Sequence, residues 1–349
     1  MSELAALSDI ALFGVLAVAG LVILVVGTRL AAVAQALAVA TGLGEAMIGG
    51  ALLGASTSLS GTATSIAAAA AGHTDLAISN AIGGIAVQTF FLAIADLTHR
   101  GANLEHAAAS PENMANAALL TLLLASVLLL PYTPADWLLL GVHPGSVLLP
   151  GVWVAGLYAV AGIRARPMWL PRRTRDTRLE PGPDRGWHRE GRALLASRFV
   201  ILALAMVAAG WVVAEAGLET AARFDARQSL VGVMLTAILT SLPELVTTLA
   251  AVRRGALQLA VGGIIGGNTF DVLFLSFSDA AYREGSVYHV MPADVTFWIV
   301  LTIAMTAVLS FGLVKRERHG PGNIGVESAV VILLYLGALA LQLAPARGA

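Results

Sequence analysis

The chain contains no cysteine, which excludes disulfides, thiolate metal sites and cysteine nucleophiles. Charge is scarce too. Asp, Glu, Lys and Arg make up 12% of the 349 residues, against about 25% in an ordinary soluble domain. Lysine occurs once, at Lys315, so nearly all the positive charge is arginine. No Gly-rich phosphate loop, nucleophile–base motif or basic nucleic-acid patch is present. These absences argue against an enzyme, a nucleic-acid partner and a resident cofactor. Apolar residues are abundant instead, at 57% of the chain with a mean hydropathy of +0.80. They come in long runs, and a run of about 18 apolar residues reads as a membrane helix.

Ten such runs lie near 10–27, 46–71, 75–97, 115–131, 147–163, 198–217, 228–252, 257–278, 293–314 and 325–343. The expected fold class is therefore an all-α membrane protein with ten transmembrane helices. The first run could be mistaken for a signal peptide. Its leader, however, carries Glu3 and Asp9 and no basic residue, so it reads as a span that stays. Two runs are interrupted. The second holds Ser56 to Thr62 with Gly54 and Gly61, and the seventh holds Thr240, Ser241, Pro243 and Glu244. Broken, polar backbone at membrane depth is tolerated only inside protein or beside a cavity.

An even number of spans places both termini on one side. With the termini outside, the inner segments hold 17 of the 21 Lys and Arg residues and the outer segments hold 4. Cytoplasmic loops are enriched in Lys and Arg. The expectation is a multi-pass protein of the cell (inner) membrane with outer termini and a cytoplasmic segment at 164–197. Ten arginines run from Arg164 to Arg198. The segment reads as a basic linker, with contact to anionic lipid as the sharper alternative. It divides the chain into two halves of five helices, 1–163 and 198–349.

The halves are related by an ungapped repeat. Thr57-Ser58-Leu59 recurs as Thr240-Ser241-Leu242, Ala67-Ala68 as Ala250-Ala251 and Gly72 as Gly255. Leu76-Ala77 recurs as Leu259-Ala260, Gly83-Gly84 as Gly266-Gly267 and Asp96 as Asp279, all at an offset of 183. The copies lie five spans apart. Five is odd, so they run in opposite directions through the membrane. Inverted repeats with broken helices meeting near the midplane are the signature of secondary transporters.

The same stretches resemble a known family. Thr240-Ser241-Leu242-Pro243-Glu244-Leu245-Val246-Thr247-Thr248 resembles the second alpha-repeat of the sodium/calcium exchanger, or cation/calcium antiporter, superfamily. Gly263-Ile264-Ile265-Gly266-Gly267-Asn268-Thr269-Phe270-Asp271 resembles its downstream Gly-Asn-x-x-Gly-Ser-Asn-x-x-Asn/Asp segment. The resemblance implies that fold and cation-for-cation antiport, with ion ligands at Thr240 and Glu244. The first repeat departs from the pattern. Gly61 stands where the family has a second glutamate, Gln88 holds the final Asn/Asp position, and Ile85 replaces the Asn preserved as Asn268. Asn80 aligns with the family's first asparagine.

An ionisable residue inside a span is costly and points to function. Glu244 and Asp271 meet that test and are the expected metal ligands. Thr240 precedes Glu244 by one turn, on the same face. Pro243 removes a backbone hydrogen bond and frees carbonyl oxygens. Thr57, Ser58, Ser241 and Gln88 add neutral oxygens, with Thr57 the mate of Thr240. Asn268, Asn80, Pro243 and Gly61 are expected to support the site, and Gly61, as the mate of Glu244, to face it. Asp96 and Asp279 are expected as solvated caps at span ends. His99, Glu105, His106 and Glu112 share an inner loop without metal-ligand spacing.

Two carboxylates neutralise one divalent cation, or one monovalent cation with a proton held elsewhere. Calcium takes 6–8 oxygens, so both calcium/cation and sodium/proton exchange stay open. The expected ligand is the transported cation and the expected partners are small inorganic cations and the bilayer, with the oligomeric state open. The alternative is a non-transporting homologue acting as scaffold or sensor. A membrane hydrolase ranks below both.

Overall fold

The structure is a computed structural model and describes residues 3–41, 54–99, 101–172, 174, 191–320 and 324–344. In lipid no water is available to satisfy backbone N–H and C=O groups, so each apolar run closes its own hydrogen bonds as a helix. The first half comprises α1 (Asp9–Thr41), α2 (Leu59–Ala70), α3 (Thr74–Thr98), the short α4 (Leu104–Ala107), α5 (Pro111–Leu129) and α6 (Gly145–Ala165). The second comprises α7 (Arg192–Arg223), α8 (Gln228–Thr240), α9 (Leu242–Arg253), α10 (Leu257–Asp271), α11 (Leu273–Ala281), α12 (Ala293–Lys315) and α13 (Val326–Leu343). Among the described residues eight helices are long and apolar enough to cross a membrane. The bent pair α8–α9 makes a ninth. The expected second span lies partly outside the described residues; its described portion is 54–71, which includes α2.

The two faces are identified by their polar contacts. On one face the Arg223 guanidinium donates to Leu7 O (2.9 Å) and to Asp9 (3.0 Å), and Arg227 donates to Gln342 O (2.8 Å). Both ends of the described chain therefore gather there. On the other face Arg316 donates to Arg172 O (2.7 Å), His106 Nε2 meets Thr174 Oγ1 (2.9 Å) and Asn103 donates to Glu317 O (3.1 Å). That face carries the described part of the basic linker. Chain direction alternates between the faces, so α2–α3 and α8–α11 run inversely.

The repeat helices form the centre. Burial covers 89% of the most apolar window of α3, against 11% for α6. Small residues set the spacing. A Cβ on Gly232 would lie 1.9 Å from Ser79 Oγ, and one on Gly83 would lie 2.7 Å from Val233 Cα. α3 and α8 thus cross nearly backbone to backbone, which only small residues permit. On α1, Gly20 and Gly27 lie two turns apart. A Cβ there would meet Leu239 at 2.8 Å and Pro243 at 2.5 Å, so α1 is a smooth wall against the broken helix.

The expectation for Asp96 and Asp279 is corrected. They are 1% and 0% exposed. Each caps a loop that folds back into the protein: Asp96 accepts from the Leu104 and Gly325 amides (2.7 and 2.9 Å), and Asp279 from the Val287 and His143 amides (3.0 and 2.8 Å). The returning loops cover the carboxylates that a linear reading leaves to solvent.

Candidate ion site

The site begins at the break between α8 and α9. Ser241 separates the two helices, which bend by 48°, and Pro243 sits in the first turn of α9. Proline is tolerated there because first-turn amides have no helical partner. Glu244 falls in the same turn. The α9 N-terminus, with its partial positive charge, thus stands beside a buried carboxylate.

Asp271 is the last residue of α10, where that helix breaks at Val272 before α11. Gln88 on α3 donates to Asp271 Oδ2 (2.6 Å) and lies 3.4 Å from Ser241 Oγ. Gln88 and Asp271 are repeat mates at an offset of 183. Asn268 is likewise bonded to its own mate: its Nδ2 donates to Ile85 O (3.4 Å) and to Thr89 Oγ1 (3.1 Å). Two residues related by a twofold rotation touch only at the axis. The crossing of α3 and α10 at Ile85–Gln88 and Asn268–Asp271 therefore marks the pseudo-twofold axis.

From the first half, the Ser58 hydroxyl lies beside both Glu244 and Asp271, and the Thr57 hydroxyl lies beside Glu244. Thr57 Oγ1 also donates to Gly54 O (3.0 Å). Ser60 Oγ donates to Thr240 O (3.3 Å), and Thr240 Oγ1 turns back onto Thr236 O (2.9 Å). Asn80 ties the two halves together. Its Nδ2 donates to Gly61 O (3.1 Å) and Ser65 Oγ (2.9 Å), and its Oδ1 accepts from Thr236 (2.8 Å). Glu244, Asp271, Ser58, Thr57, Gln88 and Ser241 thus converge. Thr240 sits at the edge, and Asn80, Asn268 and Pro243 hold backbone around it.

Four oxygens in this cluster are buried without a hydrogen-bond donor: Glu244 Oε1 and Oε2, Asp271 Oδ1 and Gln88 Oε1. Buried acceptors are nearly always paired, and a buried carboxylate whose oxygens are left short of hydrogen bonds is expensive. Among the described residues no three His, Cys, Asp or Glu side chains form a metal-holding group. The set is two carboxylates with neutral oxygens.

Phe274 escaped the sequence reading. A Cβ on Gly61 would lie 3.6 Å from Thr240 Oγ1 but 2.8 Å from Phe274 Cε2. Position 61 is directed at the cluster, and an aromatic ring from the other half occupies the space beside it. No local signal in the sequence pairs two residues 213 positions apart off the repeat register.

Inverted helix pairs broken around buried carboxylates on a shared axis are the construction of multi-pass membrane transporters rather than enzymes. The chain belongs to the sodium/calcium exchanger protein family, whose profile matches residues 11–161 and 194–344. CaxA of Alkalimonas amylolytica, named as an antiporter, is 26% identical over 143 residues, 41% of this chain and 44% of that protein. The chain thus aligns with less than half the length of that relative. Among solved structures, the H+/Ca2+ exchanger CAX superposes with a TM-score of 0.63 at 14% identity, covering 95% of this chain and 88% of that one. The sodium-calcium exchanger NCX_Mj superposes with a TM-score of 0.61 at 18% identity, covering 95% and 98%. The fold is that ten-span architecture of two inverted five-helix halves.

Proposed function

We propose that the chain is a secondary-active antiporter that moves a small cation, calcium or sodium, against sodium or protons. The site lies between the inverted halves, near the membrane midplane. The observation that carries this reading is the group of four donor-less oxygens on Glu244, Asp271 and Gln88. A hard cation shed of its water is the partner such oxygens suit. Glu244 and Asp271 supply the charge and are the metal ligands. Ser58, Thr57, Ser241, Gln88 and Thr240 supply neutral oxygens, and Asn268, Asn80, Pro243 and Gly61 shape the backbone. With two carboxylates the site holds one divalent cation, or one monovalent cation and a proton. Family membership and the likeness to an H+/Ca2+ exchanger and a sodium-calcium exchanger support exchange as the mode of transport. The basic residues favour a cell membrane with the termini outside and the linker in the cytoplasm.

Ion flux into proteoliposomes, with calcium and sodium gradients imposed in turn and the internal pH followed, is the test. The native protein is expected to carry calcium or sodium against a counter-gradient. Glu244→Gln keeps the shape and removes the charge, and is expected to lose more than about tenfold in flux while retaining its thermal melt. Absence of flux from the native protein with every ion pair would support the scaffold or sensor reading instead. Undiminished flux in a folded Glu244→Gln variant would make that carboxylate structural.

A further inference from the structure

The repeat extends beyond the ion site to the two loops that fold back on Asp96 and Asp279. Asp96 Oδ1 accepts from the amide eight residues on, at Leu104, and Asp279 Oδ1 accepts from the amide eight residues on, at Val287. The next residues, Glu105 and Tyr288, are mates at the offset of 183. Each is met by a serine from the other half: Ser328 Oγ donates to Glu105 Oε1 (2.9 Å), and Ser146 Oγ lies 2.8 Å from the Tyr288 hydroxyl. One cap design is thus used on both faces. The chemistry differs. The face bearing Arg223 and Asp9 has a phenol, which is uncharged near neutral pH. The linker face has a carboxyl.

That carboxyl is in a poor place for an anion. Glu105 is 4% exposed and its Oε2 has no hydrogen-bond partner. A Cβ on Gly325 would lie 3.1 Å from Glu105 Oε2 and 3.3 Å from Asp96 Oδ2, so two carboxylate oxygens share one small space. A Cβ on Gly312 would lie 2.7 Å from Glu327 Cγ and 3.0 Å from Glu105 Cγ, which puts a third carboxylate stem against the first. Glu327 is 4% exposed.

Among the described residues positive charge reaches the rim of the group, at Glu327, and not Glu105. Lys315, at the end of α12, is 4.0 Å from Glu327 and 3.0 Å from Glu317. Arg316 is turned onto His106 O (3.1 Å) and Arg172 O (2.7 Å), and His106 Nδ1 lies 2.6 Å from Arg316 O. α10, also packed against α4, carries one charged residue, Asp271, at its far end. The charges that act on Glu105 are Asp96 and Glu327, both negative. The three carboxylates do not form a metal-holding group.

We propose that Glu105 is a proton-binding site on the linker face, and that its proton holds the cap formed by residues 101–110 against α3, α12 and α13. The proton removes one of three like charges. Its loss leaves an uncompensated anion in a dry space and loosens the cap to which the linker is tied through His106–Thr174 and Arg316–Arg172. Burial first, and the Asp96 charge second, push the Glu105 carboxyl up to about 7. A carboxyl raised in the folded state holds its proton between its ordinary value and that one. The associated stability is present at low pH and is lost as pH rises toward 7.

The test needs no transported ion. Melting temperature is measured on the full chain from pH 5 to pH 8 for the native protein and for Glu105→Gln, which carries the uncharged shape at every pH. The native protein is expected to lose several degrees that the variant retains. Amides of residues 101–108 are expected to exchange with deuterium about tenfold faster in the native protein than in Glu105→Gln at pH 8, and equally fast at pH 5. Should Glu105→Gln fail to fold, Glu327→Gln serves. With one like charge removed, the fall in melting temperature moves to lower pH. Parallel melting profiles for the native protein and the foldable variant overturn the proposal. So does a calcium- or sodium-dependent rise in melting temperature that is abolished in Glu105→Gln, because a metal ion and not a proton would then occupy the cap.

Discussion

Gly61 and Glu244 occupy equivalent positions in the two halves, yet their surroundings differ by one ring. A glutamate introduced at 61 points toward Thr240 Oγ1, as the repeat implies, but its Cβ meets Phe274 Cε2 at 2.8 Å. Overpacking of this kind costs about 1–3 kcal/mol. Gly61→Glu alone is therefore expected to lower the melting temperature. Gly61→Glu with Phe274→Ala is expected to recover part of the loss and to bind calcium more tightly than the native protein, since a third carboxylate then has room. Calorimetry with calcium and melting curves on both variants check this. Equal melting temperatures for the native and single-variant proteins would show that the ring yields freely. Gln88 makes a complementary case. It stands where a carboxylate or carboxamide of the first half meets Asp271, and its amide supplies a donor at 2.6 Å where Asp or Glu would repel. Gln88→Glu is expected to make ion binding more steeply pH-dependent than in the native protein, because two carboxylates at that separation cannot both be charged without a cation or a proton between them.

At the scale of elements, the site depends on how closely smooth helices approach. Gly27 of α1 faces Pro243, and a Cβ there would lie 2.5 Å from the Pro243 ring and 3.2 Å from Met206 Cε. Pro243 is adjacent to Glu244, so relief of this clash on the Pro243 side moves the start of α9. Gly27→Ala is expected to reduce flux while leaving helical content unchanged. Circular dichroism and proteoliposome flux on one preparation separate the two effects, and unchanged flux would mean that α1 moves instead of α9. At the α3–α8 crossing, a methyl group on Gly232 would lie 1.9 Å from Ser79 Oγ and 3.1 Å from the Asn80 amide. Asn80 also binds the α2 backbone at Gly61. Gly232→Ala is thus expected to destabilise by about 1–3 kcal/mol, seen as a lower melting temperature. These glycines are visible in the sequence. Their partners are not, because the contacts join residues on helices far apart in the chain.

For the whole molecule, the two faces give a direct test of orientation. Ala6 and Met168 are exposed on opposite faces, and the absence of cysteine makes single-cysteine variants clean reporters. In intact cells Ala6→Cys is expected to react with an impermeant thiol reagent, and Met168→Cys only after the membrane is opened. The reverse pattern would invert the orientation drawn from the basic residues, and labelling of both from outside would reject the alternation of spans.

Much of this architecture is written in short-range pattern. Apolar runs dictate spans because lipid leaves the backbone no other way to satisfy its hydrogen bonds. The 183-residue offset dictates inverted halves because five spans separate the copies. Glu244 and Asp271 stand out because charge inside an apolar run is rare. The tertiary structure decided the rest. It brought Gln88 onto Asp271 and Ser58 between the two carboxylates, filled the space beside Gly61 with Phe274, and buried Asp96 and Asp279 under returning loops. It also set Glu105 among like charges while its mate, Tyr288, stayed neutral. The physical reason is range. Periodicity and composition act over one or two helical turns, whereas burial and the sign of the local field are sums over neighbours from distant parts of the chain, which only the packed molecule assembles.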